Sequence, residues 1–163
     1  MKAAAYLALA AHIALGGFVP AQTQQSSSPS ESHDKSASDR DRLIGGWHLV
    51  ALRTQGADGK LNLAAGLTGK LIYTRDGHMS VQIMYPESDA TLTNDYVLNG
   101  YEASFGSFDI NEQAHTVTHH VEGSITRGLV GKRLTRAYRF SARRLTIRST
   151  NPNEHWSVIW QHD

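Results

Sequence analysis

The stretch Leu71-Ile72-Tyr73-Thr74-Arg75-Asp76-Gly77-His78-Met79-Ser80-Val81-Gln82-Ile83-Met84-Tyr85 decides how this chain folds. Apolar and polar residues alternate on both sides of Asp76-Gly77, at the period of two that a half-buried strand requires. Two hairpin registers compete. A two-residue turn at Asp76-Gly77 sets Thr74 against Met79 and Tyr73 against Ser80, mixing polar and apolar side chains on both sides. A three-residue loop, with Gly77 in the left-handed position after a type I turn, sorts them. Leu71, Tyr73, Met79, Val81, Ile83 and Tyr85 then share one face, and Thr74, His78, Ser80 and Gln82 the other. A slip of one residue exchanges the faces, so the second register is predicted, with the first set pointing inward.

The same short runs recur from Leu43 onward. Strands are predicted near Trp47–Thr54, Thr68–Thr74, His78–Tyr85, Phe105–Ile110, Thr116–Ile125, Val130–Ser141, Leu145–Thr150 and Trp156–Gln161. Joined mostly by short connections, they predict an all-β fold, an eight-stranded antiparallel up-and-down barrel. One connection, from Pro86 to Ser104, is longer. There Thr93 is a candidate cap, Asp95 suits the positive end of a helix, and Val97, Tyr101 and Phe105 follow at a spacing of four. A short helix near residues 93–104 is therefore expected. Gly100 weakens it, so it should lean on the barrel or close one mouth.

Alternation also exposes two exceptions. Val117, His119, Val121, Gly123 and Ile125 form one face, and Leu134, Arg136, Tyr138 and Phe140 another. His119 and Arg136 are thus polar side chains on faces that otherwise look interior. A buried arginine needs an acceptor or a carboxylate, because an unpaired interior charge is very costly.

The N-terminal residues bear on compartment. Met1-Lys2 is a positive start, Ala3 to Val19 is an apolar run, and Val19-Pro20-Ala21-Gln22 suits a signal peptidase. The expected division is a signal peptide over 1–21, cleaved after Ala21, a disordered tether over 22–41 and a barrel domain over 42–163. The alternative for the leader is an uncleaved anchor. With no cysteine, neither a lipid-modified N-terminus nor a disulfide framework is available, and a periplasmic or secreted location follows. Losing Lys2 takes the formal charge from +1 to 0, a balance that gives no indication of nucleic acid. The charge is uneven, however. Arg127, Lys132, Arg133, Arg136, Arg139, Arg143, Arg144 and Arg148 fall in one stretch without an acidic residue. Complementary strand faces explain this; a basic rim meeting an anionic ligand or lipid headgroup is the alternative.

The ordered set of motifs resembles a family. Gly45-Gly46-Trp47 looks like the Gly-x-Trp element of lipocalins, in which the tryptophan packs under the closed end. Leu43–Trp47, Leu71–Gln82, Gly100–Phe108 and Thr116–Ser124 together resemble the bacterial and fungal lipocalin-like domain family, a calycin-type barrel. The resemblance implies a cavity for an apolar small molecule, and a structural packing of an arginine such as Arg136 against the tryptophan. It supplies no reaction. Where such domains often carry a proline and a tryptophan, this chain has Thr126-Arg127-Gly128-Leu129-Val130-Gly131.

Other chemistry is thinly represented. His119 and His120 point to opposite faces and cannot share one ion, His120 and Glu122 lack a third ligand, and His115 lies too far from His119. Neither a metal site nor a cofactor is expected, and no Cys-x-x-Cys-His is present to attach haem. His119 is either a core histidine satisfied by a tyrosine or carbonyl, or a polar contact for a ligand. The leading expectation is an exported barrel binding a small, mostly apolar molecule through Tyr73, Met79, Val81, His119, Arg136 and Tyr138. One alternative is a cofactor-free isomerase or cyclase acting on a hydrophobic carbonyl compound through His119 and Arg136. Another is an envelope protein whose basic strand face contacts anionic lipid at a membrane surface. The oligomeric state is left open.

Overall fold

The structure, a computed structural model, describes residues 37–56 and 59–163. The expected leader, and the expected tether as far as residue 36, lie outside the described residues. Asp39 to Asp41, at the end of that tether, begin a helical turn, α1 (Asp39–Leu43), capped by the Ser38 hydroxyl on the Asp41 amide. The strands are β1 (Gly45–Gln55), β2 (Leu61–Ala64), β3 (Thr68–Tyr73), β4 (His78–Met84), β5 (Tyr101–Asn111), β6 (Thr116–Ser124), β7 (Arg133–Ser141), β8 (Arg144–Ser149) and β9 (Trp156–His162).

Every paired neighbour is antiparallel, β1 to both β2 and β3 and then each strand from β3 to β9 with the next, and β9 returns to pair with β1, closing the sheet into a barrel. Nine segments occupy eight places. The near half of β1 pairs with β3 (Gly45↔Tyr73 to His48↔Lys70), while its far half pairs with β2 (Leu52↔Ala64 to Gln55↔Leu61). The strand β2 was not anticipated, and it occupies the same barrel position as β3.

The hairpin from β3 to β4 has the predicted register. Tyr73 pairs with Met79 and Leu71 with Val81. Thr74 and His78 close the loop, and Gly77 takes φ +91°. Leu71, Tyr73, Met79, Val81 and Ile83 are buried, with Tyr85 half-buried at the rim.

The helix expected near 93–104 does not form. The 3₁₀ turn in this connection lies earlier, at Glu87–Asp89. Leu98 and Tyr101 exchange backbone hydrogen bonds around Asn99-Gly100, whose φ values are +48° and +74°. Two consecutive positive φ angles make a tight hairpin turn, and Asn-Gly is the dipeptide that adopts it most readily. Of the three apolar residues grouped by the helical spacing, Val97 is buried, whereas Tyr101 and Phe105 stand exposed on β5.

A bulge corrects the outer half of β6. Gly106 pairs with Val121 but Phe105 pairs with Gly123, so Glu122 is an extra residue. The faces exchange beyond it. Ser124 takes the register position opposite Ser104, while Ile125, expected inside, is exposed. Gly123 is covered by the Phe105 ring on the outer surface. The predicted inward set of β7 holds: Arg136 and Tyr138 are buried, Leu134 and Phe140 half-buried.

One end of the barrel is closed. Trp47, 2% exposed, donates its indole N–H to the Leu43 carbonyl at 2.9 Å and packs against Phe140 and His162. Across this end, α1 places Arg42 over the Phe140 ring at 4.1 Å and Arg40 over Phe108 at 5.1 Å. Asp39 accepts a 2.8 Å hydrogen bond from Tyr138.

Candidate functional site

Toward the open end the barrel holds a cavity of about 180 Å³. This is ample for water and below the ~300–1,000 Å³ typical of drug-sized ligands. Its body is apolar, formed by residues such as Leu52, Ile83, Leu134, Ile147, Val158 and Trp160. Its polar groups are Arg136 from β7, Glu102 and Ser104 from β5, His119 from β6, Asn94 and Tyr96 from the connection preceding β5, and Thr54 and Tyr85 at the ends of β1 and β4.

Arg136 is 8% exposed and sits between aromatic faces, 4.9 Å from the Trp156 ring and 5.4 Å from Tyr96. The resemblance implied packing on the Gly-x-Trp tryptophan; here Trp156 and Tyr96 take that place. Its one side-chain-to-backbone hydrogen bond is long, Nη1 to the Thr135 carbonyl at 3.5 Å. No carboxylate among the described residues forms a salt bridge with it. Since a guanidinium carries five N–H donors, this one retains donor capacity inside the barrel.

Glu102 is a counter-charge on the same cavity wall. Its partner across the hairpin is the inward-facing Ile83, which places the carboxylate on the interior side of the sheet. Burial pushes its carboxyl up to about 7, against the pull of the Arg136 charge. His119 is held in the opposite sense. Burial and the positive charge of Arg136 depress its imidazole to about 3, and its Nε2 meets the Tyr73 hydroxyl at 2.7 Å. The ring is therefore neutral across the physiological range, and Tyr73, its phenol also raised by burial, stays protonated.

Over the mouth, Tyr96 donates to both oxygens of Glu154 at 3.2 Å. Glu154 also accepts from Trp156 at 3.0 Å and Asn151 at 3.1 Å. Burial would raise its carboxyl, but hydrogen bonds from Ser149, Trp156, Asn151 and Tyr96 outweigh that and hold it low. One ionised carboxylate thus ties the long connection to the loop between β8 and β9, through the same two rings that hold Arg136.

Of the six expected binding residues, the structure places Val81, His119 and Arg136 on the cavity wall. Tyr73 and Met79 pair beside the β3–β4 turn, toward the closed end, and Tyr138 is engaged with Asp39 there. Glu102, Tyr96 and Trp156 were not anticipated. A signal for Glu102 did exist, since an Asn99-Gly100 turn puts Tyr101 outside and Glu102 inside.

On the outer wall of β7 and β8, Arg133, Arg139, Arg144 and Arg148 are exposed and form no ion pair among the described residues. Arg136 is the inward-facing member of that basic stretch. The exposed His120 face carries a 2.6 Å contact to Asp109, and among the described residues no group of three or more potential metal ligands occurs. No helix among them is long and apolar enough to cross a membrane.

No curated protein matches the sequence. A lipocalin-like protein from Bacteroides uniformis is 14% identical, covering 75% of this chain and 99% of its own, with a TM-score of 0.46. An uncharacterized protein from Bacteroides eggerthii is 11% identical over 74% of this chain and 99% of its own, with a TM-score of 0.44. The siderocalin Ex-FABP, described as having dual ligand specificities, is 12% identical over 75% of this chain and 74% of its own, with a TM-score of 0.28. The sequence model of the lipocalin-like domain matches residues 44–162, nearly the whole barrel from Ile44 to His162, and the chain belongs to that family.

Proposed function

We propose that this protein is an exported binding barrel that holds a small, mostly apolar molecule in its interior, with Arg136 as the polar anchor. The observation that carries this reading is the pairing of an apolar cavity of about 180 Å³ with a buried guanidinium that has no carboxylate partner among the described residues. Desolvating an unpaired cation disfavours the empty state, and a ligand acceptor relieves that cost. Catalysis through His119 is the poorer reading, because a neutral imidazole engaged with Tyr73 is a weak base. Periplasmic or secreted location rests on the N-terminal run and the absence of cysteine. Mass analysis of the exported protein should give Gln22 as its first residue; a chain retaining Met1 in the membrane fraction would refute it.

Filling the cavity tests the binding reading. Val81→Trp should abolish uptake of an environment-sensitive apolar dye while the far-ultraviolet circular dichroism is kept. Unchanged dye binding by a folded variant would place the dye elsewhere and remove the support. A second reading, contact with anionic lipid, draws on Arg133, Arg139, Arg144 and Arg148. It expects sedimentation with vesicles containing phosphatidylglycerol that falls steeply with salt. Binding that ignores both lipid charge and salt would refute it.

A further inference from the structure

Two opposite charges face one cavity without meeting. Arg136 and Glu102 both line it, yet no salt bridge joins them, and no hydrogen bond engages the Glu102 carboxylate among the described residues. A carboxylate and a guanidinium packed for stability alone close into a bidentate pair. Here the space between them is left to an occupant.

The other groups facing Glu102 hold their protonation states. His119 on β6 is neutral, Tyr85 after β4 is pushed up to about 12 by burial and by the Glu102 and Asp89 charges, and Tyr96 from the long connection is raised as well. The remaining cavity walls, on β1, β3, β8 and β9, contribute apolar side chains and Thr54 but no titratable group. Interior charge is therefore set by Arg136, Glu102 and whatever binds.

Resting on the binding reading above, we propose that the occupant is a small amphipathic carboxylate whose head lies on the Arg136 guanidinium, and that its binding draws one proton onto Glu102. Two ionised carboxylates cannot share one guanidinium in a low-dielectric enclosure without strong repulsion, so one of them takes a proton. Glu102 is the one that yields, because burial has already brought it to about 7. Protonated, it also becomes a donor, and its O–H completes the cradle beside the guanidinium. The balance closes: the ligand enters as an anion, one proton arrives from solvent, and the interior keeps the net charge it had with Glu102 ionised. An uncharged ligand would leave Arg136 and Glu102 as they were and take up nothing.

The experiment is a calorimetric titration of the full exported chain with hexanoate, hexan-1-ol and hexylamine, at about pH 6 and about pH 8, in buffers of different ionisation enthalpy. Hexanoate should bind about tenfold more tightly at the lower pH, as linkage to one group near neutrality requires. It should take up close to one proton at the higher pH and little at the lower. Glu102→Gln, nearly isosteric, should abolish both the uptake and the pH dependence while binding hexanoate at about pH 8 at least as tightly as the parent. Equal binding of hexan-1-ol, or tighter binding of hexylamine, overturns the carboxylate and leaves the cavity reading standing. Hexanoate binding with no proton uptake, or with the same pH profile in Glu102→Gln, overturns the role of Glu102. Failure of all three probes, in a protein that also excludes the apolar dye, overturns both readings together.

Discussion

At the residue scale, the interior is organised around two titratable groups moved in opposite directions. His119, depressed to about 3, is neutral in the fold but takes a proton once unfolded below about 6.5, so it erodes stability as pH falls through that window. Glu102, raised to about 7, holds its proton in the fold longer than in the unfolded chain, so its contribution is complete below about 4.5 and is lost as pH rises through 7. Between these limits the two slopes oppose each other. Glu102→Gln removes one of them. The variant should match the parent at about pH 4.5 and exceed it at about pH 8 by on the order of 1–3 kcal/mol, read from denaturant midpoints at each pH. Tyr73→Phe should cost about 1–3 kcal/mol at every pH, because it leaves the His119 Nε2 without its 2.7 Å partner. Ala142, at φ +51° in the turn between β7 and β8, tests backbone strain alone. Ala142→Gly should be stabilising by up to about 1 kcal/mol in thermal unfolding.

At the element scale, the bulge between β5 and β6 has a strict requirement. A Cβ on Gly106 would lie 1.9 Å from the His120 carbonyl oxygen and 2.9 Å from the Glu122 nitrogen. Both are backbone atoms, so neither can swing away. Gly106→Ala should lower the unfolding free energy by about 3 kcal/mol and shift the amide resonances of Val121 to Ser124. This element also shows where the sequence is legible. The β3–β4 hairpin was readable because only one register separates Leu71, Tyr73, Met79 and Val81 from Thr74, His78 and Ser80. The face exchange after Glu122 was not, since an inserted residue leaves the letters alternating and only the partner strand reveals the slip. Asn99-Gly100 carried a turn signal, but Val97, Tyr101 and Phe105 also fit a spacing of four. The local turn prevailed because β5 gains a full ladder with β4, from Met84↔Tyr101 to His78↔Ser107, that a short helix containing glycine cannot match. The candidate site was legible in the same proportion: Arg136 and His119 broke a strand pattern, while Glu102 was hidden in the misread segment.

At the scale of the whole molecule, the first and last strands share a seam. Seven residue pairs, from Trp47↔His162 to Thr54↔Trp156, join β1 to β9, and the Asp163 amide reaches the Gly46 carbonyl. Every other neighbouring pair can zip across a local connection; this one waits for the full circuit, which places the domain among slow-folding, high-contact-order architectures. The seam has a practical corollary. Since the end of β9 already lies beside α1 and the start of β1, a linker from Asp163 to the residues ahead of α1 would close the chain and keep the Leu43 carbonyl on the Trp47 indole. New termini could then be opened at Gly128, where an added Cβ would meet nothing within 4 Å. Such a circular permutant would keep every ladder, keep the cavity, and turn the slowest closure into a covalent neighbour.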